Sequence, residues 1–207
     1  QIMSEICTTM DIETLPFTPW INKKLVKQTI TRKGSFDSAH RVMNEKMKCF
    51  NLHGHTYLYE LTFSFDSMNQ IGYQIDFKEI KRVACQFIDD FLDHATIVNP
   101  HDHVVISTCK ELKSKYWLMS LNGLNQYCNP TVENIAKELF LIMEILFERY
   151  DDLNIDSIKL YETPNCYTEC QIWSILPIER DNFRLYNLEG IELYRDQLGI
   201  LNYDDRI

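Results

Sequence analysis

The amino-acid sequence predicts an α+β domain: a four-stranded antiparallel sheet with two helices on one face, in the order ββααββ. Three observations carry this reading. Residues 55–65 (HTYLYELTFSF) alternate as a strand does. Residues 78–92 and 131–149 repeat apolar side chains at three- and four-residue steps. Two further strand-like runs, 155–163 and 168–176, are joined by the turn signal Pro164-Asn165.

Residues 1–26 contain Pro16 and Pro19 and no sustained period, so they are expected to form an N-terminal extension. The β-branched run near 27–36 (KQTITRKGSF) reads as the first strand. In the second, Tyr57, Tyr59, Leu61, Phe63 and Phe65 share one face, and Thr56, Leu58, Glu60, Thr62 and Ser64 the other. Turn residues fill 66–72, after which YQIDF is expected to resume as a short strand. Ile80, Val83, Ala84, Phe87, Ile88 and Phe91 form the apolar stripe of the first helix. Residues 95–128 are too long for a structureless connection and predict an inserted element. Asn129, Pro130 and Thr131 supply the start of the second helix, with Val132, Ile135, Ala136, Leu139, Phe140, Met143, Leu146 and Phe147 on its apolar side. Residues 177–207, acidic and Tyr-rich without a strong period, read as a C-terminal extension, leaving 27–176 as the principal folded domain.

Lys plus Arg number 21 against 30 Asp plus Glu, a formal net charge of −9, which argues against a protein that coats nucleic acid. The longest apolar run, LFLIMEILF at 139–147, is interrupted by Glu144 and is far short of the ~20 residues that span a bilayer. No nucleic-acid or membrane partner is expected. Seven cysteines, an odd number with no signal-peptide pattern, fit a reducing, cytoplasmic setting.

His53 and His55 of the stretch HGH point to one face if the backbone is extended, and His40 closes the preceding strand. Three imidazoles with one open position are the pattern of a catalytic zinc. An isolated His-X-His is more often a polar strand end, and both readings stay open on spacing alone. Cys49, four residues before His53, is either a reactive thiol near a cation or a small buried apolar side chain. Asp93-His94 is either an oriented acid–base pair or a helix C-terminus with a dipole-complementing histidine. Glu162 ends a strand just before Thr163-Pro164 and, taken alone, reads as an exposed edge residue.

Taken together, Phe36-Asp37-Ser38-Ala39-His40, Cys49-Phe50-Asn51-Leu52-His53-Gly54-His55, Ile75-Asp76-Phe77, Leu92-Asp93-His94, Pro130-Thr131-Val132-Glu133-Asn134 and Glu162-Thr163-Pro164 stand in the order of one family. Over roughly 29–176 the chain resembles the 6-pyruvoyltetrahydropterin synthase / 6-carboxytetrahydropterin synthase family. The resemblance implies a T-fold (tunnelling fold) subunit that assembles into homo-oligomeric trimers or hexamers with active sites between subunits. It implies zinc held by His40, His53 and His55, a catalytic thiol at Cys49 and a proton relay at Asp93 and His94. It also implies a pterin-anchoring carboxylate at Glu162 and pocket-lining roles for Thr131 and Glu133. The three residues between Cys49 and His53 resemble the branch that turns 7,8-dihydroneopterin triphosphate into 6-carboxytetrahydropterin for queuosine-type 7-deazaguanine synthesis, releasing acetaldehyde and triphosphate. The pyruvoyl-forming reaction and a non-catalytic zinc-containing pterin-binding protein are the alternatives. Arg41, Lys46 and Lys48 are candidate partners for the triphosphate. Ser38 departs from the family's usual alanine, and the 95–128 segment and both termini exceed compact relatives.

Overall fold

The computed structural model describes residues 28–69 and 72–199; the expected N-terminal extension lies outside them. Strands β1 (Gln28–His40) and β2 (His53–Phe65) pair antiparallel along their full length, from Gln28 opposite Phe65 to His40 opposite His53. Both outrun the expected strands, and β1 carries four residues past Phe36, which brings His40 into the ladder. The alternation read from the sequence is the buried face: Tyr57, Leu61 and Phe63 are fully enclosed and Tyr59 and Phe65 nearly so.

Helix α1 runs over 77–91, joining α-helical Phe77–Ile80, a π segment Lys81–Cys85 and α-helical Gln86–Phe91. YQIDF is not a strand. The Asp76 carboxylate accepts from the Lys78 N–H at 2.8 Å and caps α1, so the chain is already turning into a helix there. The inserted segment supplies β3 (Ala95–Val98), α2 (His103–Leu112) and β4 (Tyr116–Leu118). Helix α3 (Val132–Phe147), strands β5 (Asn154–Thr163) and β6 (Cys166–Gln171), and helix α4 (Pro177–Leu198) complete the described chain.

The sheet has six strands rather than four, in the order β4-β3-β1-β2-β5-β6. β1, β2, β5 and β6 form the expected antiparallel set, while β3 and β4 add a parallel edge made from the insertion. The last strand stops at Gln171, where Ile172–Ser174 forms a 3-10 turn.

Within the expected C-terminal extension, residues 177–198 form a 22-residue helix packed on the outer side of α3. Phe183 and Ile191 are its buried apolar contacts, contributing about 1.5–3 kcal/mol each if fully sequestered. Polar pairs do the rest. Lys137 Nζ donates to both oxygens of Glu179 at 2.8 and 3.0 Å, Arg180 makes a two-point contact with Glu144 at 3.0 and 3.1 Å, and buried Arg195 donates to the Ile145 carbonyl at 2.8 Å. Clad by the sheet on one side and α4 on the other, α3 buries eleven of its sixteen residues.

Candidate active site

The hairpin register decides where the histidines meet. His40 lies opposite His53 and Ser38 opposite His55, so all three imidazoles stand on the core face at one end of the β1–β2 ladder. Ring centroids are 4.6, 5.1 and 4.9 Å apart, and one ligand atom from each lies within 4.8 Å of the others. The backbone fixes two tautomers. His40 Nδ1 is 2.7 Å from the Pro130 carbonyl and His53 Nδ1 is 2.6 Å from the Asn51 carbonyl. A carbonyl oxygen only accepts, so both Nδ1 atoms donate and both Nε2 atoms keep bare lone pairs.

Those two Nε2 atoms are 3.2 Å apart, and the Nε2 of His55 is buried with no hydrogen-bond partner. Facing lone pairs repel unless a cation lies between them. Tetrahedral zinc with Zn–N near 2.05 Å separates its nitrogens by about 3.3 Å, the spacing observed here. The donor set therefore fits a divalent metal. Burial, followed by the neighbouring His53 and His55, lowers the pKa of His40 despite the Pro130 carbonyl, which keeps the ring in its metal-binding form.

Glu162 completes the cluster. It sits at an irregularity in the β5–β6 ladder between Tyr161 and Thr163, and Oε1 lies 3.5 Å from His40 Nε2 and 3.8 Å from His55 Nε2. Bulges re-aim side chains in this way, which is why a residue read from sequence as an edge glutamate points at the imidazoles. Tyr57 forms the floor, its ring 6.0 Å from His40 and 5.7 Å from His55. Burial raises its hydroxyl pKa, and the Glu162 carboxylate and Cys49 thiol raise it further, so the hydroxyl stays protonated beside them.

Cys49 is half-buried in a 3-10 turn, Lys48–Phe50, in the connection between β1 and β2. The turn is tied down at several points. The Val42 N–H donates to the Cys49 carbonyl at 2.8 Å and the Met43 N–H to Asn129 Oδ1 at 3.0 Å. Arg41 donates through Nε and Nη2 to Asp102 at 2.6 and 3.0 Å, and its guanidinium stacks 4.8 Å over the Phe50 ring. Asp102 is the N-cap of α2, so the insertion braces the loop that carries the thiol. Arg41 is thus committed to Asp102, whereas Lys46 and Lys48 are exposed. Thr131 caps α3, accepting from the Asn134 N–H at 3.4 Å, next to the Pro130 carbonyl that holds His40; Glu133 is exposed in the first turn.

Asp93 and His94 stand elsewhere. His94, with φ of 56°, donates its backbone N–H to the Asp37 carbonyl at 2.6 Å, and its Nδ1–H to Asp93 Oδ2 at 2.5 Å. Asp93 Oδ1 accepts from the Asp37 N–H at 2.8 Å. Burial pushes the Asp93 carboxyl up, but the Asp37 N–H and His94 together outweigh it and hold its pKa below the ordinary value. His94 lines a hollow of about 470 Å³ with Asp37, Ala39, Thr56 and Thr96, which alternate to the face of the sheet opposite the three imidazoles, and Ser38 and His55 also border it. One chain therefore brings together His40, His53, His55 and Glu162, with Cys49 and Thr131 beside them, but not His94. The sequence carried no sign of the Arg41–Asp102 brace, whose partners are 61 residues apart.

The model of the family described as 6-pyruvoyl tetrahydropterin synthase matches residues 29–172. The 6-carboxy-5,6,7,8-tetrahydropterin synthase of Rickettsia bellii is 36% identical over 144 residues, covering 67% of this chain and 96% of that protein. Its namesake from Haemophilus influenzae is 32% identical over 148 residues, covering 69% and 97%. Among solved structures, an uncharacterized protein of Wolinella succinogenes superposes with a TM-score of 0.56 at 19% identity, covering 71% of this chain and 99% of its own, a likeness of fold. The family match runs unbroken from the start of β1 to the end of β6 and takes in the T-fold sheet with its histidine cluster, so the chain belongs to the 6-pyruvoyl tetrahydropterin synthase family.

Proposed function

We propose that this chain converts 7,8-dihydroneopterin triphosphate into 6-carboxy-5,6,7,8-tetrahydropterin with release of acetaldehyde and triphosphate, the pterin step of 7-deazaguanine synthesis. The observation that carries the reading is the clustering of three imidazoles, with the Glu162 carboxylate beside His40 and His55, next to a thiol-bearing loop. The shared name of the two curated relatives and the three-residue spacing from Cys49 to His53 favour the carboxy product over the pyruvoyl one.

His40, His53 and His55 would hold the metal, for which zinc best suits three imidazoles. When bound, zinc supplies Lewis-acid polarisation of the substrate side-chain oxygens. The protein residues take the remaining roles. Glu162 accepts the N–H groups of the pterin ring and sets its orientation, the positioning effect, while Thr131 and Glu133 line the ring's pocket. Cys49, held by the braced loop, moves a proton at the side chain, and His94, oriented by Asp93, handles the opposite transfer. Because His94 lies across the sheet from the metal cluster of its own chain, the reading requires His94 of a second subunit at each site, and hence a homo-oligomer. Among the described residues no helix is long and apolar enough to cross a membrane and every cysteine is a free thiol, which supports work in the reducing cytoplasm.

The test is product analysis with 7,8-dihydroneopterin triphosphate, with and without added zinc. Zinc-dependent formation of 6-carboxytetrahydropterin with stoichiometric acetaldehyde is the expected result. A pyruvoyl product without acetaldehyde moves the chain to the other branch, and pterin binding without turnover overturns the enzymatic reading.

A further inference from the structure

A second hollow, of about 490 Å³, opens between the first half of β1 and the π segment of α1, in the size range of small-ligand pockets. It breaks the pattern of the sheet around it. The inner face of the hairpin is apolar at Phe36, Tyr57, Tyr59, Leu61 and Phe63, yet β1 presents Gly34 opposite Tyr59 and Arg32 opposite Leu61. Gly34 makes the room: a Cβ there would lie 2.2 Å from the Tyr59 hydroxyl oxygen, so any side chain would have to push that hydroxyl out of its place on the wall. Arg32 places a guanidinium over the hollow, and its Nε is buried with no hydrogen-bond partner.

The charge is lopsided. Five cations line the hollow, and two are already neutralised: Lys33 by Glu60 at 2.7 Å, and Arg82 by the two oxygens of Glu79 at 2.8 and 2.6 Å. Arg32, Lys78 and Lys81 form no ion pair among the described residues, and Asp89 is the one carboxylate on the lining. In a chain of net charge −9, such a local surplus is a strong electrostatic feature. Unspent guanidinium N–H donors and two ammonium groups on facing elements, with a buried donor lacking an acceptor, match the oxygens of a phosphate chain.

We infer that this hollow binds a polyphosphate anion, at a site separate from the histidine cluster. Arg32 is eight residues before His40 on one continuous strand, about 26 Å at ~3.3 Å per residue, so the two sites of one chain occupy opposite ends of β1. Three free cations spread over two elements favour a chain of phosphoryl groups over a single phosphate. This inference does not depend on the reaction assigned above.

Isothermal titration of the zinc-loaded full chain with inorganic tripolyphosphate tests it. We expect one site per chain that depends on the hollow, with salt-sensitive affinity, orthophosphate at least about tenfold weaker, and a loss of about tenfold or more at that site in Arg32→Ala/Lys81→Ala. Lys78→Glu/Lys81→Glu, two changes at exposed helix positions, keeps the test clear of folding defects and is expected to abolish binding while retaining the wild-type melting temperature. Lys46→Ala/Lys48→Ala, on the loop near the histidines, separates the two sites: the binding lost in the hollow variants is expected to persist in it. Absence of binding to the wild-type chain, equal binding by either double variant of the hollow, or equal affinity for orthophosphate overturns the inference.

Discussion

At the scale of single residues, the sharpest constraint is the pair of imidazole nitrogens 3.2 Å apart, each with its hydrogen committed to the opposite side of the ring. Removing one should release the metal without unfolding the hairpin, since His53 is only half-buried. His53→Ala is expected to fall from about one zinc per chain to near zero by elemental analysis, whereas Cys49→Ala retains the metal and loses about 10²–10⁴-fold in turnover. A second residue works against its surroundings. Glu138 on α3 is fully enclosed, and burial pushes its pKa up to about 7 even though Trp117 Nε1 and the Ser120 and Leu121 N–H groups donate to it at 2.6, 2.5 and 3.2 Å. The folded chain thus binds this proton more tightly than the unfolded chain, whose ordinary value is 4.5. Its contribution to stability is fully present below about pH 4.5, declines as pH rises towards 7 and is flat above, a loss on the order of 3 kcal/mol. Urea unfolding of wild type and Glu138→Gln between pH 5 and pH 8 measures it: the difference between the two should shift in that direction, and a constant difference would refute it.

At the scale of elements, the inserted β3–α2–β4 unit acts on the active-site loop through one ion pair. Asp102→Asn keeps an oxygen to cap α2 but removes the charge facing Arg41. The expected cost is about 1–3 kcal/mol, since Arg41 retains some contact with water, together with several-fold faster alkylation of Cys49 as the Lys48–Phe50 turn loosens. Unchanged thiol reactivity would show that the loop stands without the insertion. Elements were legible in the sequence in proportion to how far their stability rests on apolar periodicity. β2 and α1 announce themselves because each buries one apolar stripe, and α3 because apolar side chains dominate it even though it is buried on two sides. The parallel pair β3 and β4 is four and three residues long, too short for alternation to register. α4 escaped because much of its buried surface is polar: Glu179 and Arg195 are buried alongside Phe183 and Ile191, so its charged positions look solvent-facing. The site divides in the same way. The shared face of His53 and His55 follows from their spacing, whereas Glu162 reads locally as an edge residue because its aim depends on a ladder irregularity, and the Cys49 brace depends on a partner distant in sequence.

At the scale of the whole molecule, the sheet itself separates the two halves of the proposed chemistry, with His94 on one face and the metal cluster on the other. On the proposed two-subunit site, Cys49→Ala and His94→Ala proteins are each expected to be inactive. When mixed after dissociation and reassembly, they should recover activity at least about tenfold above either parent, because some sites then receive one intact residue from each kind of subunit. Persistent inactivity of the mixture would mean that the two residues act within one chain. The cladding of α3 has a different kind of consequence, one for solubility. The family match ends at residue 172 and α4 begins at 177, yet Leu141 of α3, on the side that bears Lys137 and Glu144, is now fully enclosed. The covered flank of α3 is apolar where it meets the helix, so the two elements are mutually dependent. Deleting the helix would bare that apolar flank to water, leaving a surface prone to association.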